Sequence, residues 1–170
     1  MDVTIDNDKY LELPELIELM AFGGDFNRYL EAVYEMFKND FIRNRPVFRG
    51  IRLGLKKYPT YNGKEATFWH MTSEGKDEQN RLPDLRRLER IKWPAYLINN
   101  NEHPYLKVWK NTRGAKTNIL IMHENENYVI ILREGNGYLL PWTAYLIEHR
   151  CRKQKFIKEY EEYIKSKERQ

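Results

Sequence analysis

The stretch from Thr117 to Leu146 constrains the fold more than any other part of the chain. Thr117–Met122 and Tyr128–Leu132 are apolar and rich in β-branched residues, and Tyr138–Leu146 follows them. Only His123–Asn127 and Glu134–Gly137 separate the three runs. Parallel strands need a long crossover, so connections this short predict an antiparallel meander. Pro141 has no N–H for a ladder, which places it at an edge or a bulge. Thr143 and Tyr145 are two residues apart, and strand side chains alternate, so both hydroxyls fall on one face.

The rest of the chain reads as helices and shorter strands around this meander. Leu11–Met20 is rich in leucine and glutamate and predicts a short helix that Gly23-Gly24 stops. Asp25 suits the cap of a second helix, in which Phe26, Tyr29, Leu30, Val33, Met36, Phe37 and Phe41 keep helical spacing until Arg45-Pro46. Phe48–Lys57 and Glu65–Met71 read as the two strands of a hairpin turning at Tyr58–Gly63, followed by a polar loop from Ser73 to Pro83. Asp84 is placed to cap Leu85–Arg90. Trp93-Pro94 then breaks the pattern, and Ala95–Asn101 fits helix or strand. Tyr105–Lys110 reads as a further strand. From Glu148 a basic helix carries Phe156, Tyr160, Tyr163 and Ile164 as one stripe.

The expected class is α+β: N-terminal helices, a mostly antiparallel sheet of about five strands ending in the meander, and a C-terminal helix. The helices are expected on one face of the sheet. The 170 residues fit one domain. It comprises an acidic helical part (1–45), a sheet-containing body (46–147) and a basic helix (148–170).

Charge narrows the partners. Residues 1–40 hold ten acids against three bases, so that part is at −7 while the whole chain is at +4, leaving +11 on the remainder. A basic body suits a polyanion. No run approaches the roughly 20 apolar residues of a membrane helix. The opening Met-Asp-Val-Thr-Ile-Asp lacks the basic start and apolar core of a secretion signal, so the expected setting is the cytoplasm without a membrane partner. Cys151 is the only cysteine, which excludes an intrachain disulfide and a cysteine zinc site. No His/Asp/Glu grouping has metal-ligand spacing, and no metal or cofactor is expected.

One histidine, two hydroxyls and several arginines suit RNA cleavage without a metal. Such a reaction needs a base for the 2′-hydroxyl, an acid for the leaving 5′-oxygen, and donors for the phosphoryl oxygens. His70 is the favoured proton carrier, because its strand would lead into a polar loop. Arg86, Arg87 and Arg90 follow on a short helix, with positions 86 and 90 sharing a face. Arginine's planar fork binds two phosphate oxygens at once. Lys107, Trp109, Lys110 and Arg113 interleave an aromatic with bases, a pattern that stacks on and neutralises RNA.

Phe68-Trp-His70, Leu88-Glu-Arg-Ile-Lys-Trp-Pro94 and Leu140-Pro-Trp-Thr-Ala-Tyr145 give the chain a resemblance, over residues 48–165, to the barnase–EndoU–colicin–RelE-like nuclease superfamily. It looks most like the phage-associated branch of that superfamily. The resemblance implies a metal-independent ribonuclease of a prophage or mobile element, a toxin held by an immunity or antitoxin protein, with a cyclic-phosphate product. It places His70 as general acid or base, Tyr145 as complementary proton or hydrogen-bond donor, Arg90 on the phosphate and Thr143 as orienting hydroxyl. It leaves the acidic base unassigned. Two other readings stand beside it: a non-catalytic nucleic-acid-binding module, and a phage accessory domain that docks a protein.

Overall fold

A computed structural model describes residues 10–170. The reading of the Met1–Asp6 opening, and the acids Asp2, Asp6 and Asp8, lie outside the described residues. The fold is α+β, built on a four-stranded antiparallel meander of β5 (Lys107–Arg113), β6 (Lys116–His123), β7 (Tyr128–Glu134) and β8 (Leu139–Leu146). The two small ribbons β1–β2 (Val47–Phe48, Ile51–Arg52) and β3–β4 (Ser73–Glu74, Leu82–Pro83) add to it. Pro141 lies on the edge strand β8, where Ile131 pairs with Thr143 and Leu132 with Pro141, so Trp142 bulges out of register.

The central strands read as unbroken apolar runs because both faces are covered. Ile119, Ile121, Tyr128, Ile130 and Leu132 enter one core cluster, together with Tyr29, Val33 and Phe37 of α1 (Phe26–Lys38). Leu120, Met122 and Val129 face the other way, joining Trp109, Ile147 and Phe156 under α5 (Arg150–Glu168). Helices therefore flank the sheet on two sides, a correction to the one-sided arrangement. Each such buried aliphatic or aromatic side chain contributes roughly 1.5–3 kcal/mol.

Asp25 caps α1, its carboxylate accepting from the Arg28 N–H at 3.2 Å. Three other expectations fail for identifiable reasons. Glu65–Met71 is not a strand: Ala66–Thr72 forms helix α2, and all seven residues are buried. A helix buried all round has no polar face and hence no helical period to read. The hairpin is consequently confined to β1–β2, turning at Arg49 (φ 47°) and Gly50 (φ 80°), the left-handed pair that a tight primed turn requires. Leu11–Met20 is mostly irregular, with only a 3₁₀ turn at Leu19–Phe22. Its backbone bonds outward instead: the Leu11 carbonyl to His123, the Pro14 carbonyl to the Trp93 indole and the Ile17 N–H to the Glu89 carbonyl. Finally, Trp93-Pro94 begins helix α4 (Trp93–Asn99) rather than breaking one, since proline is well suited to a first helical turn.

Candidate functional site

The site begins with the Asp84 cap. Its carboxylate accepts from the N–H groups of Arg86 at 2.9 Å and Arg87 at 3.3 Å, starting the five-residue helix α3 (Leu85–Glu89). That start sends the two arginines to different places. Arg86 reaches outward to the Glu148 carboxylate. Arg87 turns inward, its side chain only 12 % exposed. Its Nη1 donates to the Ser73 carbonyl (3.0 Å), to Thr143 Oγ1 (3.3 Å) and to the His70 carbonyl (3.4 Å). Its Nη2 donates to Glu74 (3.3 Å), and the guanidinium lies 5.4 Å from the Tyr145 ring centroid.

Thr143 and Tyr145 do share a face, and both meet Arg87. Thr143 Oγ1 also donates to the His70 carbonyl at 3.3 Å, and the Tyr145 hydroxyl accepts from Arg152 Nη1 at 3.1 Å. Arg87, Tyr145 and Arg152 border an open cavity of about 200 Å³ that Glu74, Asp84, Arg86, Glu148 and His149 also line, and Thr143 lies behind Arg87. Three arginines and three carboxylates therefore face one space with a tyrosine and a histidine. Carboxylate and imidazole can exchange protons, and guanidinium and phenol can hold a phosphoryl group.

The His70 ring is not one of these groups. His70 sits in α2 and contributes its carbonyl to Arg87 and Thr143. Its imidazole instead bonds Glu78 through Nε2 (2.6 Å) and sets its edge against Trp142, with ring centroids 4.9 Å apart. Burial pushes the imidazole below its ordinary pKa, against the opposing pull of Glu78.

Arg90 also lies apart. It bonds the Arg86 carbonyl and Glu89, covers the Trp93 ring at 5.0 Å, and does not line the cavity. Arg86 and Arg87, rather than Arg90, line the cavity. On β5, Lys107 pairs with Glu124 (2.5 Å), Lys110 with Glu134 (2.8 Å) and Arg113 with Glu159 (2.7 Å). Trp109 is 1 % exposed and presents no free ring to a base. It packs on Phe156 and Tyr160 and donates to Glu159.

Comparison of the chain with protein-family models, with curated proteins and with solved structures returned no match.

Sequence reasoning passed over four of the cavity residues: Glu74, Glu148, His149 and Arg152. Three of them had a readable signal. Only Ile147 to His149 separate β8 from α5, so the first turn of α5 stays beside the end of β8. Tyr145, Glu148, His149 and Arg152 are thereby gathered at one corner. Among the described residues, no group of three or more His, Cys, Asp or Glu is placed to hold a metal ion. None of the helices described is long and apolar enough to cross a membrane.

Proposed function

We propose that the protein is a metal-independent endoribonuclease whose site is this cavity. The observation that carries the reading is the convergence of Arg87 on Thr143 and Tyr145, beside His149 and Glu148. Arg87 and Arg86 take the non-bridging phosphate oxygens, and the Tyr145 hydroxyl donates to the same group. Glu148 removes the 2′-hydroxyl proton as the 2′-oxygen attacks phosphorus. His149 protonates the 5′-oxygen as its bond to phosphorus breaks, leaving a 2′,3′-cyclic phosphate and a free 5′-hydroxyl. Thr143 and the His70 carbonyl position Arg87. Such an enzyme would act in the cytoplasm as a prophage or mobile-element toxin, checked by an immunity or antitoxin protein.

A non-catalytic nucleic-acid-binding module is the second reading. It draws on the three arginines, Arg86, Arg87 and Arg152, that line the cavity, and on the engagement of Glu148, the proposed base, by Arg86. The test is incubation of purified protein with RNA in EDTA, with the products assayed for cyclic phosphate. His149→Ala and Tyr145→Phe are expected to suppress scission about 10²-fold or more. Intact RNA from a folded wild type, with binding that weakens steeply in salt, would favour the second reading instead.

A further inference from the structure

The face of the sheet that α5 covers changes character from one residue row to the next. Strand register places Trp109, Leu120 and Ile131 side by side in one row, and Asn111, Asn118 and Arg133 in the next. The first row packs with α5, whereas the second is joined by side-chain hydrogen bonds. Arg133 Nε donates to Asn118 Oδ1 (3.4 Å), Asn118 to Asn111 Oδ1 (3.3 Å) and Asn111 to Glu159 (3.1 Å). A carboxamide offers two N–H donors and two acceptor lone pairs. Among the described residues, Asn111 and Asn118 each use one side-chain donor and one acceptor site and keep one of each.

These amides line a groove of about 380 Å³ whose opposite wall is α5. Tyr145 and Arg152 line both this groove and the cavity described above, so the two spaces adjoin. On the α5 wall, Arg152 and Lys155 face the groove with Phe156 and Glu159, and the Glu159 carboxylate is already taken up by Trp109, Asn111 and Arg113. Arg152 lies in the first turn of α5, where a cation opposes the helix dipole at roughly 0.3–1 kcal/mol, so helix stability does not account for it. Lys155 lines the groove and has no carboxylate partner among the described residues.

We infer that this groove is a subsite for single-stranded RNA flanking the scissile phosphate, an assignment that rests on the ribonuclease reading for the identity of the polymer. Arg152 and Lys155 neutralise backbone phosphates, and the unused valences of Asn111 and Asn118 pair with exposed base edges. A duplex keeps its base edges inside its grooves and presents phosphates on a convex outer surface, leaving both amides unmatched. The substrate is therefore an unpaired segment, held on the side of the cavity that leads toward β5.

The test uses the full chain, a fluorescent 2′-O-methyl oligonucleotide that cannot be cleaved, and the same strand annealed to its complement. The single strand is expected to bind at least tenfold more tightly than the duplex. Lys155→Ala keeps good helix propensity and is expected to lower the slope of log affinity against log salt by about 0.7, one single-strand phosphate contact. Lys158→Ala removes the same charge outside the groove and is expected to leave that slope unchanged. Equal binding of duplex and single strand, or equal effects of the two lysine variants, would overturn the subsite. Scission of a dinucleotide by the wild type, which needs only the cavity, is measured in parallel. Lys155-dependent single-strand binding without scission would sustain the subsite and defeat the ribonuclease reading, and scission with Lys155-independent binding would do the reverse.

Discussion

Replacing Arg87 with methionine separates structural from chemical roles in one residue. Met retains much of the buried stem and removes the guanidinium. The acceptors left behind decide the cost. The Ser73 carbonyl still receives Arg81 Nη2 at 2.7 Å, and the His70 carbonyl still receives Thr143 Oγ1 at 3.3 Å. Of the other two acceptors, Glu74 has a 62 % exposed side chain and recovers water, and the Thr143 hydroxyl keeps its own donation to the His70 carbonyl. No buried carbonyl that Arg87 bonds is thus left unpaired, and the desolvation of a buried cation is relieved. The expected loss is about 1–2 kcal/mol, near the net value of one or two hydrogen bonds. For a chain of this length that corresponds to a Tm lowered by roughly 2–8 °C. Loss of a preorganised donor to the phosphoryl oxygens costs about 10²–10³ in rate. Calorimetry and initial rates of RNA cleavage, both well below the variant's Tm, check the two halves. Cleavage within a factor of two or three of wild type would refute the reasoning, as would a fall in Tm large enough that the lost activity follows unfolding.

Two further outcomes follow from the packing. Trp109→Ala is expected to destabilise the fold by about 3–5 kcal/mol, because the ring fills the interface between the sheet and α5 and the Glu159 carboxylate loses a donor; a urea midpoint close to that of the wild type would show the ring to be dispensable there. The depressed His70 pKa means that the unfolded chain takes up a proton at a higher pH than the folded one. Stability is therefore fully present above the unfolded value of about 6.5 and lost as pH falls below it. Urea midpoints at pH 7.5 and 5 should differ more in wild type than in His70→Gln, and equal differences would remove His70 as the source.

What the sequence revealed depended on whether local chemistry or distant contacts set each element. The meander was legible because β-branched runs and short turns leave few alternatives, and Asp25 and Asp84 announced their helices through side chains able to cap them. Helix α2 was not legible, since burial on every side erased its period. The segment 11–20 was not legible because its hydrogen bonds run to residues far along the chain, with Pro14 unable to donate. At the site, the period of two correctly put Thr143 and Tyr145 on one face. The choice between Arg87 and Arg90 turned on how a capped single-turn helix is rolled against β8, which spacing cannot determine. His149 and Glu148 looked unremarkable because what gathers them at the cavity is the strand-to-helix corner rather than their neighbours in sequence.

The attachment of α5 sets an order of opening. The helix buries apolar surface on the sheet through one small cluster, centred on Trp109 and Phe156, and is otherwise tied by the hydrogen bonds of Glu159 and Arg152, whereas β6 and β7 are also sealed from the opposite side by the larger core. Regions with fewer buried contacts open at lower free energy than the global unfolding step. In deuterium exchange, the amides of α5 should therefore exchange as a block well before those of Ile121 and Ile130. The corner that carries His149 and Arg152 would then breathe before the centre of the sheet, and a strand lying along the groove would register as slowed exchange in that helix.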